Sequence, residues 1–214
     1  LDYLVTNLFP VLQSENLTKR IDAFIETSAF SASEIAPYLQ AAKAFNFDIT
    51  IHADQFTTSG SEVAVQYEAI SADHLEASGD KEIEIIAQSK TIAVALPGAS
   101  VGLGCAFAPA RKIIDKGGAL AIASDWNPGS APMGDLVCQA SILATFEKLT
   151  TAEVFAGITF RAAAALNLFD RGRLIAGNKA DFILYPSTDY REILYYQGSM
   201  RPSKIWKSGK LVSA

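Results

Sequence analysis

Between residues 20 and 124 the chain repeats one alternation: a short apolar, β-branched run, then a stretch with helical spacing, with run ends about 22 to 28 residues apart. That interval is the length of a βα unit, and a chain of such units makes a parallel sheet covered by helices. The runs fall at 20–26, 49–53, 69–74, 91–96 and 119–124, so five strands are predicted. Helices are predicted at 34–46 (Ser33 as its N-cap), 61–67, 79–89, 108–116, 133–147 and 151–166. A further amphipathic helix is predicted over 1–19, with Leu4, Leu8 and Leu12 on one side and Pro10 as a kink or boundary. The Gly-rich residues 98–104 read as a loop. From Gly172 the pattern changes to short strands with turn punctuation at 172–174, 177–179, 180–185 and 205–212. The predicted division is therefore a βα region over 1–170 and a β segment over 171–214.

How the strands end is the second constraint. Ile49-Thr50-Ile51 has the composition of a strand buried on both faces, then breaks into His52, Asp54 and Gln55. Later runs end in Asp73 and His74, in Pro97 and Gly98, and in Asp125 and Asn127. The carboxyl ends of parallel strands emerge on one face, which is where such folds build their sites. The chain has two histidines, and both stand at strand ends. Two imidazoles and a carboxylate suit Zn²⁺ or Fe²⁺. Taken singly each has a plainer reading: a His packed at a strand end, or Asp125 holding the Asn127-Pro128-Gly129 turn. Gly98, Gly102 and Gly104 do not form a phosphate loop, because no Gly-Lys-Ser/Thr follows.

Composition narrows the partners. With 214 residues, half of them hydrophobic, the chain suits one globular domain with a small appendage. A net charge of −5 and scattered Lys and Arg argue against a nucleic-acid partner. No apolar run approaches the ~18 residues that span a bilayer, so no membrane role is expected. Cys105 and Cys138, far apart and without a Cys-Xaa-Xaa-Cys, read as reduced, buried thiols in a cytoplasmic protein. The opening Leu1-Asp2-Tyr3-Leu4 has neither Met nor a positive leader, and is read as that of a fragment.

His52-Ala53-Asp54-Gln55-Phe56, Ser71-Ala72-Asp73-His74-Leu75, Leu96-Pro97-Gly98, Ala108-Pro109-Ala110-Arg111 and Ser124-Asp125-Trp126-Asn127-Pro128-Gly129-Ser130 together resemble the imidazolonepropionase family of the amidohydrolase superfamily. The resemblance runs from the first residues to about 170, and 172–185 is similar to the C-terminal β segment of amidohydrolases in general. It implies an α/β fold: a metal-dependent (β/α)₈ TIM barrel, here only about strands 4–8, with part of a small C-terminal β-sandwich. It also implies one metal ion, Zn or Fe, with His52 and Asp125 as ligands. His74 would orient or activate the attacking water, and Asp125 would take its proton. Gln55 would touch the imidazolone ring, while Asn127, Gly129 and Ser130 would hold the ring and propionate. The implied reaction is hydrolysis of the cyclic amide of 4-imidazolone-5-propanoate to N-formimidoyl-L-glutamate, a step of histidine catabolism.

The chain departs from the family in one large respect. Members run to roughly twice this length, as a full barrel requires, and carry a His-Xaa-His pair of ligands that is absent here. Two protein ligands hold a catalytic metal poorly, so this polypeptide alone is expected to be inactive, and to self-associate or pair with a missing N-terminal half. Two alternatives are another amidohydrolase, a cyclic amidase or deaminase, and a non-catalytic remnant domain.

Overall fold

The computed structural model describes residues 1–213. By packing, the chain divides into two compact units, Leu1–Val94 with Lys112–Ala119 and Ala95–Arg111 with Leu120–Ala214.

The first unit is a parallel sheet under helices. Its strands are β1 (Arg20–Phe24), β2 (Asp48–Ala53), β3 (Ser71–His74) and β4 (Ile92–Ala95, up to Val94 in this unit), paired in chain order. The register sets Phe24 beside His52, His52 beside Asp73, and Asp73 beside Val94. Side chains alternate along a strand, so Phe24, His52 and Asp73 form one row on one face, with Asp22, Thr50 and Ser71 a row below. Thr50 and Ser71 hydroxyls meet at 3.2 Å, and an Arg20 guanidinium N–H donates to Thr50 Oγ1 at 3.1 Å. The other face carries Ile21, Ala23, Ile49, Ile51, Ala53, Ala72 and Ala93, all buried. Burial on that scale is what drives helices onto a sheet.

Those helices are α1 (Phe9–Ser14), α2 (Ala32–Ala44), α3 (Gly60–Gln66) and α4 (Asp80–Ala87). The predicted Leu4/Leu8/Leu12 stripe is not what anchors the N-terminus. Leu4–Leu8 is a π-helical turn, Leu8 is exposed, and Phe9 is the buried residue, its ring 5.1 Å from those of Tyr38 and Phe47. Pro10 opens α1 instead of kinking a longer helix, because its missing N–H costs nothing in a first turn. Ser31, not Ser33, caps α2: its hydroxyl accepts from Glu34 N while Glu34 returns a bond to Ser31 N.

The second unit begins with the end of β4. Pro97–Leu103 is a helix, α5, where the glycines predict a loop. Pro97 stands at its first positions and Gly104, at φ 67°, closes it in the left-handed conformation. The chain then forms α6 (Ala110–Asp115), which from Lys112 belongs to the first unit, and β5 (Leu120–Ile122) of the second, after which Ala123 N–H donates to Ala95 O at 3.1 Å. The helix predicted over 151–166 is two, α8 (Thr151–Ile158) and α9 (Phe160–Ala165), after α7 (Leu136–Phe146). The break is at Thr159, where ψ is −100° and the hydroxyl bonds back to Phe155 O. The strands predicted at 172–174 and 177–179 do not form. The β segment is an antiparallel sheet, β6 (Phe182–Leu184), β7 (Lys204–Lys207) and β8 (Lys210–Ser213), with α10 (Arg191–Tyr195) inserted after β6. Cys105 and Cys138 are free thiols, half-buried where burial was expected. Among the described residues no helix is long and apolar enough to cross a membrane.

Candidate functional site

The predicted site residues fall into two groups, one in each unit. In the first, β2 delivers His52 at its penultimate residue and β3 delivers His74 at its last. Strand alternation would send His74, the partner of Ala53, to the face opposite His52. Yet the two imidazole rings are 5.4 Å apart. The cause is backbone: His74 has φ 86° and Leu75 φ 74°, left-handed values that turn the chain at the strand end. Non-glycine residues hold that conformation only where their surroundings impose it, and such strain gathers at functional sites.

His52 Nδ1 lies 3.0 Å from Asp22 Oδ1 on the neighbouring strand. A carboxylate only accepts, so the pair fixes the tautomer with the proton on Nδ1 and the lone pair on Nε2. A carboxylate–imidazole pair of this kind is how proteins hold histidine ligands to metals. His74 is buried, its Nδ1 3.5 Å from Glu76 Oε2, an ion-pair distance too long for a good hydrogen bond. Between them, Asp73 Oδ1 is buried with no hydrogen-bond partner among the described residues. Burial pushes its carboxyl up to about 6, against the opposing pull of Ser71, His52 and His74.

Gln55 follows on the loop after β2 and is 8 % exposed, with no side-chain hydrogen bond among the described residues. Asp54 before it is fully buried at φ 51°, and its carboxylate accepts from Ser61 N, Ser61 Oγ and Ser78 Oγ. Beyond Gln55 the amides of Phe56 and Thr57 donate to Glu26.

The second group is a self-bonded turn. Asp125, at φ 49°, follows β5. Asn127 Nδ2 donates to Asp125 O (2.6 Å), Asp125 Oδ2 (3.2 Å) and Ser130 Oγ (3.1 Å), while Asn127 Oδ1 accepts from Gly129 N (2.8 Å) and Ser130 N (2.9 Å). Asn127 thus determines where both the Asp125 carboxylate and the Ser130 hydroxyl stand. The turn rests on α5: a Cβ on Gly102 would come within 1.8 Å of Ser130 O. Gln139 of α7 ties the two ends, accepting from Gly98 N at 3.1 Å and donating to Met133 O.

For a metal ion the donor chemistry fits at His52, through the tautomer that Asp22 imposes. Among the described residues no three His, Cys, Asp or Glu are grouped to hold an ion, so a catalytic metal needs ligands beyond this set.

A profile of the amidohydrolase family matches residues 5–212. The chain belongs to the amidohydrolase family. Among curated relatives of this amidohydrolase chain, the imidazolonepropionase of Deinococcus deserti is 40% identical over 207 residues, 96% of this chain and 52% of the relative. The imidazolonepropionase of Bacillus cytotoxicus is 38% identical over 96% of this chain and 49% of its own length. The chain spans about half the length of the curated relatives it matches. Solved structures of the same fold include a zinc-bound adenosine deaminase from Xanthomonas campestris, with TM-score 0.76 and 17% identity over 97% of this chain and 54% of the other. A Sargasso Sea amidohydrolase gives TM-score 0.77 at 18% identity, over 98% and 53%.

The sequence pattern gives no role to Asp22, Glu26, Glu76 or Gln139, and marks Asp54 only as a polar residue at a strand end. For Asp22 a signal exists: it interrupts the apolar run Ile21, Ala23, Ile25 on the opposite phase of a period-two strand. Glu76 meets His74 only two residues away, but through the left-handed turn at His74 and Leu75, and Glu26, Asp54 and Gln139 are placed by contacts with residues 6 to 41 positions away that no periodicity encodes.

Proposed function

We propose that this chain is part of an imidazolonepropionase, which hydrolyses the ring amide of 4-imidazolone-5-propanoate to N-formimidoyl-L-glutamate. The observation that carries the reading is its 40% identity over 207 residues to a relative of that name, through the segments that hold His52, His74, Asp125 and Asn127. In this reading the chain is strands four to eight of an eight-stranded barrel, with part of a β-sandwich after residue 170. His52 and Asp125 are metal ligands, joined by others from outside this sequence. The metal is zinc or iron, and when bound it lowers the pKa of water towards ~7 and polarises a carbonyl.

The chain's own residues then have separable tasks. His52 keeps its lone pair on Nε2 through Asp22. His74, turned by its left-handed backbone, orients the attacking water. The water's oxygen bonds to the ring carbonyl carbon, its proton passes to Asp125, and Asp125 gives a proton to the ring nitrogen as the C–N bond breaks. Gln55 meets the ring, and Asn127, Gly129 and Ser130 hold the ring and propionate, for which the turn's internal bonds fix their places. Exposed Ile183, Leu184, Leu211 and Val212 on the β segment support pairing with further polypeptide.

The test is turnover of 4-imidazolone-5-propanoate by the full-length, metal-loaded protein that carries this chain, with N-formimidoyl-L-glutamate as product. Loss of imidazolone absorbance is expected there and not with residues 1–214 alone, which lack a third ligand. A full-length protein that leaves this substrate untouched but hydrolyses another cyclic amide sinks the reading.

A further inference from the structure

We propose that Glu26 is a positioning residue that fixes where Gln55 presents its amide, although it touches neither metal ligand nor substrate. This rests on the reading of Gln55 as the residue that meets the ring.

Glu26 lies just past β1, where the strand pairing gives out: Ile25 N–H still donates to His52 O, and Glu26 N–H turns away to Phe30 O. Its side chain is 5 % exposed, and among the described residues no Lys, Arg or His pairs with it. A buried carboxylate without a counter-ion persists only if donors replace its water. All the donors come from two places. Oε1 accepts from Thr27 N at 2.8 Å and from the Thr57 hydroxyl; Oε2 accepts from Phe56 N at 2.9 Å and Thr57 N at 3.0 Å. Three of the four donors belong to the two residues that follow Gln55.

The residue before Gln55 is held in the same manner. Asp54 spends its carboxylate on Ser61 and Ser78, and its carbonyl accepts from Ala77 N at 2.7 Å. Gln55 is therefore one residue between two carboxylate clamps on different elements. Gln55 is 8 % exposed and its amide bonds to no other described side chain or backbone group, so a mobile loop would let the side chain swing out into water. The clamps prevent that. They hold in one place an amide that is unpaired within the protein and free to meet a group that arrives with the substrate, which is how binding sites are preorganised.

The experiment is a double-mutant cycle in the full-length, metal-loaded protein with 4-imidazolone-5-propanoate. Glu26→Gln places an NH₂ against N–H donors. It is expected to lower kcat/KM about tenfold or more with metal content unchanged. In a Gln55→Ala background the same change is expected to cost less than about twofold, because the group it positions is gone. Thr57→Val, which removes one donor and keeps the buried charge, is the milder second arm. It is expected to lower kcat/KM about two- to fivefold, and only when Gln55 is present. Equal effects of these variants with and without Gln55 would make Glu26 a scaffold residue and overturn the inference. So would unchanged kcat/KM in Glu26→Gln, or, where that variant does not fold, unchanged kcat/KM in Thr57→Val. A wild-type protein that does not turn over this substrate overturns the functional reading itself, and this inference with it.

Discussion

Asp22 Oδ1 and His52 Nδ1 lie 3.0 Å apart across two adjacent parallel strands. Thirty residues separate them in the chain, yet the register that sets Asp22 beside Thr50 and Phe24 beside His52 leaves the carboxylate next to the imidazole. Removing it frees the ring to rotate and to take the other tautomer. Asp22→Ala is expected to weaken metal binding by the full-length protein about 10- to 100-fold. Titration with Zn²⁺ against a competing chelator reads this directly, and an unchanged affinity would remove Asp22 from the site.

Gly102 predicts a packing effect at the Asn127–Ser130 turn. A methyl group there meets the Ser130 carbonyl oxygen at 1.8 Å, so the turn or α5 must shift. Gly102→Ala is expected to destabilise by about 1–3 kcal/mol, as overpacking does, despite alanine's better helix propensity. Thermal melts of Gly102→Ala beside Val101→Ala, a change at an exposed position of the same helix, separate the two contributions. A Gly102→Ala variant as stable as wild type contradicts the close approach.

The Arg111–Glu153 pair gives a pH dependence of stated sign. Arg111 donates twice to the Glu153 carboxylate, at 2.9 and 3.0 Å, and with help from Thr150 N holds its pKa at about 2, below the usual 4.5. A carboxyl lowered in the folded state contributes stability that is full above the unfolded value and is lost as pH falls through the folded one. Glu153→Gln is therefore expected to be less stable than wild type at pH 7, by about 1–3 kcal/mol. That gap should close between pH 4.5 and 2, as followed by urea melts across the range. A gap independent of pH would assign the loss to packing.

Ser208 and Gly209 join β7 to β8 with φ of 49° and 76°. Two left-handed residues in a two-residue hairpin make a type I′ turn, which Asn-Gly fits best. Ser208→Asn is expected to stabilise by about 0.5–1 kcal/mol, seen as a higher melting temperature. A fall in melting temperature would mean that the Ser208 N–H bond to Asp181 Oδ1 does not survive the change.

The strand pattern was legible because its cause is local. Ile49, Ile51 and Ala72 are buried in the structure as their β-branched or small apolar character leads one to expect. His52, His74 and Asp125 stand at or just past strand ends because a buried strand must stop where polar groups begin. The Gly-rich stretch differs from its expected loop because glycine breaks helices in general yet is also needed where neighbours come close. Gly98 and Gly102 admit Gln139 and the Ser130 backbone against a helix. Side-chain type alone leaves Ser33 as good a cap for α2 as Ser31, and the reciprocal bonds of Ser31 and Glu34 decide between them.

Sequence by itself determined the βα alternation, the parallel sheet and the set of polar residues at the strand ends, since each follows from periodicity within about ten neighbouring residues. Tertiary structure alone decided that His74 turns towards His52, that Asp22 holds His52, and that Glu26 and Asp54 grip the loop around Gln55. Those contacts join residues from 7 to 31 positions apart through strand register and left-handed backbone at the strand ends. Such contacts gain their energy only when the sheet has closed, and a one-dimensional pattern carries no record of them.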